Sequence, residues 1–205
     1  MAKKALIISV KEPNAHKKAA EIVKSGGIII CPTETVYGFA GGVFDDFARQ
    51  KIYSIKGRNY KKPLVIMAGD INSVKILAEI PQKVFKLIKH FWPGRLTLIF
   101  NTTPLGKILS GGRNNIGIRI PDHKFMLDFL KTANIPLWTT SVNISGKESA
   151  KSFKQTLKFA HKVDAIVDGG NCQYSFESTV IDVTSFPYTV IRKGSLDTNE
   201  ILKRL

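Results

Sequence analysis

Gly27-Ile28-Ile29-Ile30-Cys31-Pro32-Thr33-Glu34-Thr35-Val36-Tyr37-Gly38 is the stretch on which the reading of this chain turns. A short apolar run rich in isoleucine, closed by a proline that cannot donate to a sheet ladder, reads as a buried strand. Beyond Pro32 the chain turns polar: Thr33 and Thr35 offer hydroxyls, Glu34 a carboxylate, and Gly38 a tight backbone. Polar groups at the exit of a central α/β strand are where ligands gather. The stretch predicts a central strand whose exit enters a loop before the next helix and carries binding groups. An ordinary strand exit with a turn is the alternative.

Upstream, the opening Met1-Ala2-Lys3-Lys4-Ala5-Leu6-Ile7-Ile8 stays apolar only to Val10 and then meets Lys11-Glu12-Pro13, which predicts a first strand rather than a signal peptide. Asn14 predicts a helix N-cap, and Ser25-Gly26-Gly27 the end of that helix. Downstream, helical spacing runs from Asp45 to Lys56 with Phe47, Ile52 and Ile55 inward, followed by a strand over 64–67. Helices are expected over 71–79 and 81–91, the second with Pro81 at its first position. Leu96, Leu98 and Phe100 alternate with Arg95, Thr97 and Ile99, the pattern of a half-buried strand. Ile116, Ile118 and Ile120 do the same, which turns Gly117 and Arg119 to the opposite face. Expected beyond them are a helix over 122–133, an extended 137–141, a helix over 152–161, strands over 165–168, 179–183 and 189–192, and a last helix from about Asp197. Interleaved helices and strands without repeats or linkers predict an α/β fold, one domain over 1–205. Its sheet is expected to be single, open, twisted and mixed, because the strands near Val180 and Val190 are too close for a parallel crossover.

With 205 residues, 43% of them hydrophobic, the chain can bury a sizeable core. No segment approaches the roughly 20 apolar residues of a membrane helix, so no membrane partner and a cytoplasmic location are expected. Cys31 and Cys172 make neither a disulfide scaffold nor a metal spacing, and no metal site is expected. The formal charge of +15 implies attraction to polyanions. Much of the excess is lysine scattered along helices, such as Lys83, Lys86, Lys154 and Lys158, which favours plain solvation at those positions.

Lys56-Gly57-Arg58 places two cations on a glycine loop, able to grip phosphate oxygens or simply to face water. Arg119 must find water, a carboxylate or an anionic ligand, and a structural salt bridge is its alternative. In Thr139-Thr140-Ser141-Val142-Asn143-Ile144-Ser145-Gly146, alternation puts Thr139, Ser141 and Asn143 on one side as hydrogen-bonding groups, unless the run is only a polar turn. Gly169-Gly170, Glu177-Ser178-Thr179-Val180 and Arg192-Lys193-Gly194 are further small or basic strand ends. No Walker, dinucleotide-binding or G-x-S-x-G motif occurs. His16, His90, His123 and His161 show no triad or metal spacing; only His123 beside Asp122 stands out, with capping as its alternative. Reactivity must therefore reside in the substrates, with the protein supplying position and charge.

These segments, together with Pro63-Leu64, Pro93-Gly94-Arg95-Leu96-Thr97 and Arg119-Ile120-Pro121-Asp122-His123, run in order from about Gly26 to Gly194. In that order they resemble the YrdC-like family of threonylcarbamoyl-AMP synthases, of the short single-domain type. The resemblance implies a concave, positively charged face on the α/β fold. It implies an activity as well: a nucleotidyltransferase that makes threonylcarbamoyl-AMP and pyrophosphate from L-threonine, bicarbonate or CO2, and ATP. The group would then pass, through partner proteins, to the adenosine beside the anticodon of certain tRNAs. By the same resemblance Lys56 and Arg58 would be catalytic and hold phosphates. Thr33, Arg119 and Ser178 would bind threonine, and Ser141, Asn143, Ser149 and Arg192 would join Lys56 and Arg58 around ATP. Magnesium would arrive with ATP. Three positions depart from the family pattern: Asn59-Tyr60 where proline is common, Met67 where many members have histidine, and Val142 where alanine is usual. The rival readings are an RNA-binding module of the same fold, for double-stranded RNA or tRNA and without synthase activity, and a carbamoyltransferase domain. The chain lacks the C-x-x-C pairs expected alongside the latter.

Overall fold

The computed structural model describes residues 4–204; Met1–Lys3 and Leu205, included in the expected domain, lie outside the described residues. The chain begins β1 (Leu6–Ser9), α1 (Ala15–Lys24), β2 (Ile29–Cys31), β3 (Gly38–Gly42) and α2 (Asp46–Lys56). Next come β4 (Val65–Met67), α3 (Ile71–Leu77), β5 (Ala78–Glu79) and α4 (Phe85–Phe91), the last entered through a 3-10 turn over Gln82–Val84. β6 (Leu96–Thr102), α5 (Pro104–Leu109), β7 (Asn115–Arg119), α6 (Lys124–Ala133) and β8 (Leu137–Ser141) succeed them. The rest is α7 (Phe153–Thr156), β9 (Ala165–Asp168), β10 (Thr179–Asp182), β11 (Thr189–Arg192) and α8 (Thr198–Leu202).

The strands form one open mixed sheet in the order β1-β9-β2-β3-β8-β4-β7-β6-β10-β11, with β5 paired to β6. Parallel neighbours are β1/β9, β9/β2, β4/β7 and β6/β10; the other pairs are antiparallel, including β10/β11. Strand β2 is buried on both faces because its alternating side chains enter two cores. Ile28 and Ile30 face one core with α2, and Ile29 and Cys31 face another with α1 and α6. Burial holds both thiols protonated, Cys31 pushed up to about 12 and Cys172 to about 11.

Several expectations change in detail. After Tyr37 the chain returns as β3, antiparallel to β2 and to β8, instead of staying a loop. The run Gly38-Phe39-Ala40-Gly41-Gly42 hides a strand behind glycine, yet glycine is what the packing needs: a Cβ on Gly41 would stand 3.0 Å from Ala48 Cβ of α2. Phe47 is 84% exposed, while Ile52 and Ile55 are buried as expected. Asn14 stands at the N-cap of α1 but adopts a left-handed backbone, φ 62°, and its side chain caps nothing. Pro81 precedes a 3-10 turn rather than opening α4. The expected helix over 71–79 ends at Leu77, that over 122–133 starts at Lys124, and that over 152–161 shrinks to α7 plus a 3-10 turn. Strand β6 is buried on both faces through Thr97, and α5, which no pattern announced, is capped by Thr103 with Pro104 behind it.

Candidate active site

The exits of β2, β7 and β8, the C-terminal end of α2 and the start of β10 surround a cavity of about 410 Å³. Every segment singled out by its polar residues contributes to it except the Gly169-Gly170 turn, which supports the wall from behind. The Tyr37 hydroxyl donates to Gly170 O at 3.0 Å and accepts from Gly169 N at 3.0 Å. A Cβ on Gly169 would come within 2.6 Å of Pro32 Cγ, so glycine lets that turn close onto the strand exit.

Arg119 forms the floor at one end. It is 3% exposed, and three protein groups hold it: Nε donates to Gly94 O at 2.8 Å, Nη1 to Thr35 Oγ1 at 2.9 Å and Nη2 to Glu34 Oε1 at 2.5 Å. A guanidinium has five N–H groups, so two remain for the cavity. Donor counting also fixes the hydroxyls beside it. Thr33 Oγ1 donates to Val36 O at 2.7 Å, so the proton shared between Thr33 and Thr35 comes from Thr35. The Thr33 hydroxyl also accepts from the backbone N of Thr35 and of Val36 and is fully committed within the loop, which it shapes. On the neighbouring wall Ser178 Oγ and Thr97 Oγ1 share a bond of 2.8 Å, and Thr139 Oγ1 donates to Val65 O at 3.1 Å.

Lys56 dominates the other end. It is 1% exposed, and its three ammonium protons go to Ser141 O, to Asn143 Oδ1 and, at 3.2 Å, to Asn143 O. Burial first, and neighbouring Arg58 second, lower its pKa to about 8. The 141–147 loop is held by the Lys56 ammonium together with a backbone bond from Ser145 N to Lys56 O, and Asn143 Nδ2 donating to Lys147 O braces it from within. Arg58 ties Nε and Nη2 to the carbonyls of Lys62 and Pro63, at 3.2 and 3.0 Å, and keeps three N–H groups free. Arg192 donates to Ser178 O, Ser178 Oγ and, at 2.9 Å, Glu177 Oε2.

Of the expected site residues, Thr33, Lys56, Arg58, Arg119, Ser141, Asn143, Ser178 and Arg192 all line this one cavity. Ser149 does not; its hydroxyl donates to Glu177 Oε1 at 2.7 Å, which puts it behind a lining residue. His123 is also absent from the lining. It occupies the N-cap position of α6 without a side-chain cap, its Nδ1 has no partner, and burial lowers its pKa. Sequence reasoning missed Thr97, Lys62 and Lys147 as lining groups and Glu34 as the partner of Arg119. Thr97 carried a signal, its place opposite the leucines of β6; the two lysines were indistinguishable from solvated loop charges. The lining carries six basic side chains (Lys56, Arg58, Lys62, Arg119, Lys147, Arg192) and one carboxylate, Glu177. Chemically, it offers an anchored guanidinium at one end, loose cations at the other, and hydroxyls between them.

The chain is similar to known proteins over nearly its whole length. A family model described as telomere recombination, Sua5/YciO/YrdC, matches residues 21–194. A threonylcarbamoyl-AMP synthase of Pyrococcus abyssi is 36% identical over 204 residues, covering 97% of this chain and 60% of that protein. A putative threonylcarbamoyl-AMP synthase of Methanocaldococcus jannaschii is 36% identical over 208 residues, covering 96% of this chain and 97% of its own length. The crystal structure of P. abyssi Sua5 complexed with L-threonine superposes with a TM-score of 0.93 at 35% identity, over 98% of this chain and 61% of that one. The chain thus spans about three fifths of the archaeal Sua5 and nearly all of the M. jannaschii relative.

Proposed function

This chain belongs to the Sua5/YciO/YrdC family, and on that premise we propose that it is a threonylcarbamoyl-AMP synthase, a nucleotidyltransferase acting on L-threonine, bicarbonate or CO2, and ATP. The observation that carries the reading is Arg119: a buried guanidinium, held by three protein groups, with two N–H groups left for a carboxylate. An RNA-binding module has no use for such a group on the floor of a cavity.

In the proposed reaction the threonine carboxylate pairs with Arg119, between the hydroxyls of Ser178 and Thr139. The threonine amine, having given its ammonium proton to solvent, bonds through its lone pair to the carbon of CO2 and releases one further proton to solvent, giving a carbamate. A carbamate oxygen then bonds to the α-phosphorus of ATP as the bond from that phosphorus to the bridging oxygen breaks, and the electron pair leaves with pyrophosphate. Arg58, Lys62 and Lys147 offset the charge on the leaving group. Lys56 contributes its charge and holds the 141–147 loop, whose Ser141 and Asn143 meet the nucleotide. Arg192, drawn to Glu177 and Ser178, closes the wall between the two substrates.

Magnesium fits this scheme as an ion carried in by ATP. Among the described residues no group of three or more His, Cys, Asp or Glu side chains could hold a metal. Such a site suits magnesium bound mainly by phosphates and water, where it would neutralise phosphate charge. No described helix is long and apolar enough to cross a membrane, and a cytoplasmic location is part of the proposal. So is hand-over of the product to tRNA-modifying partner proteins, with direct tRNA contact at the basic rim.

The test is pyrophosphate release from ATP in bicarbonate buffer, with and without L-threonine. Threonine-dependent release is expected; release indifferent to threonine, or none, would remove the proposal.

A further inference from the structure

Glu34 reaches Arg119 from outside the cavity. Its neighbours Thr33 and Thr35 line the space and it does not, yet it supplies the only ion pair Arg119 makes among the described residues. Glu34 is 4% exposed. Its Oε1 accepts from Arg119 Nη2 and, at 3.0 Å, from the backbone N of Asp122, while its Oε2 is buried with no hydrogen-bond partner. A bare buried carboxylate oxygen is costly. A neutral acceptor could take the bond from Nη2 without burying a charge, so what the carboxylate adds at this position is its negative charge.

The rest of the cavity shows the use of that charge. Of the six lining cations, Arg119 is paired with Glu34 and Arg192 with Glu177, whereas Lys56, Arg58, Lys62 and Lys147 make no ion pair among the described residues. Glu34 thus sets a negative charge directly on Arg119, where Arg192 and Arg95 add positive charge, while Glu177 tempers Lys56 and Arg58 from a distance without pairing with them. By Coulomb's law a nearby carboxylate repels a divalent phosphate twice as strongly as a monovalent carboxylate at the same place. We propose that Glu34 is a positioning and specificity-determining residue: it aims Arg119 and lowers its field, so that this end accepts a singly charged amino-acid carboxylate and refuses phosphate. Substrate anions are thereby sorted, with the phosphates of ATP directed to the cations that make no ion pair. The inference rests on the threonine site proposed above.

Calorimetric titration of the full chain with inorganic phosphate, with and without saturating L-threonine, tests it. In the wild type, phosphate should leave bound threonine in place. In Glu34→Gln, phosphate should bind at least about tenfold tighter and should now compete with threonine. Unchanged phosphate affinity in Glu34→Gln, or phosphate displacing threonine from the wild type, overturns the proposal. The wild-type competition stands alone if the Gln variant folds poorly. Thr35→Val separates aim from charge, because it frees one side of Arg119 and leaves Glu34 in place. It should weaken threonine without admitting phosphate; admission of phosphate would show that positioning alone accounts for the selectivity and would overturn the charge filter. Should the wild type bind no threonine, the synthase reading falls, while the phosphate titrations of wild type and Glu34→Gln still judge the filter.

Discussion

Replacing Lys56 by methionine should sacrifice activity at little cost in stability, and the structure gives the size of both effects. Burial lowers the Lys56 pKa from 10.5 to about 8. At about 1.4 kcal/mol per unit, keeping this ammonium charged costs the native state about 3 kcal/mol at pH 7. Methionine removes that cost. It also leaves the carbonyls of Ser141 and Asn143 without their donor, at about 1–3 kcal/mol each when buried. The two effects largely offset one another, and the variant should unfold within about 3 kcal/mol of wild type at pH 7. The sign with pH is distinctive. Below about pH 8 native and unfolded chains are both charged at Lys56, and the cost stands in full. Between about 8 and 10.5 the native state gives up a proton that the unfolded chain keeps, so this group's contribution to stability rises with pH. By pH 9.5 the wild type should have gained about 2 kcal/mol on Lys56→Met. Activity takes the other path: the 141–147 loop loses its ammonium ties and keeps only the backbone bond from Ser145 N to the residue-56 carbonyl, and kcat/KM for ATP should fall about hundredfold, as misplacement by an ångström can do. Urea unfolding of both proteins at pH 7 and 9.5, with pyrophosphate release at pH 7, measures all of this. Parallel stabilities across that pH range, or a loss beyond about 4 kcal/mol at pH 7, would refute the reasoning.

Arg119→Ala strands Glu34 in the interior with one backbone donor and should destabilise the fold by about 3–5 kcal/mol. Arg119→Ala with Glu34→Ala should recover most of that in thermal melts and still show no threonine-dependent pyrophosphate release. Gly194→Ala would set a Cβ 2.4 Å from Glu177 O and from Ser178 C; steady-state kinetics should show raised KM for both ATP and threonine, because those two residues form the cavity wall. Phe47→Lys, at a side chain 84% exposed, should change the unfolding free energy by no more than about 0.5 kcal/mol.

The alternation in 116–120 was enough to place Arg119 opposite its isoleucines, and the apolar run ending at Pro32 was enough to find the central strand. Period and polarity are local, so a sequence displays them. Strand β3 escaped because its glycines serve the approach of α2, a requirement set by another element. Phe47 shows the limit of helical spacing, which gives a stripe but not its direction. The pairing of Glu34 with Arg119 crosses 85 residues, and Lys56 meets Ser141 across the same separation. Neither has a local signature, so many members of the cavity could be named from the sequence, while Lys62, Lys147 and the division of labour could not. The readings of Lys56 and Thr33 changed most: both side chains are committed to protein partners and shape the site before any ligand arrives.

The central claim is that the chain joins threonine to AMP through a carbon taken from bicarbonate. Its most direct test is the mass of the adenylate formed from ATP and L-threonine in 13C-bicarbonate. The account predicts threonylcarbamoyl-AMP heavier by one mass unit than the product made in ordinary bicarbonate. An adenylate of unshifted mass, or no adenylate at all alongside intact ATP, would contradict it.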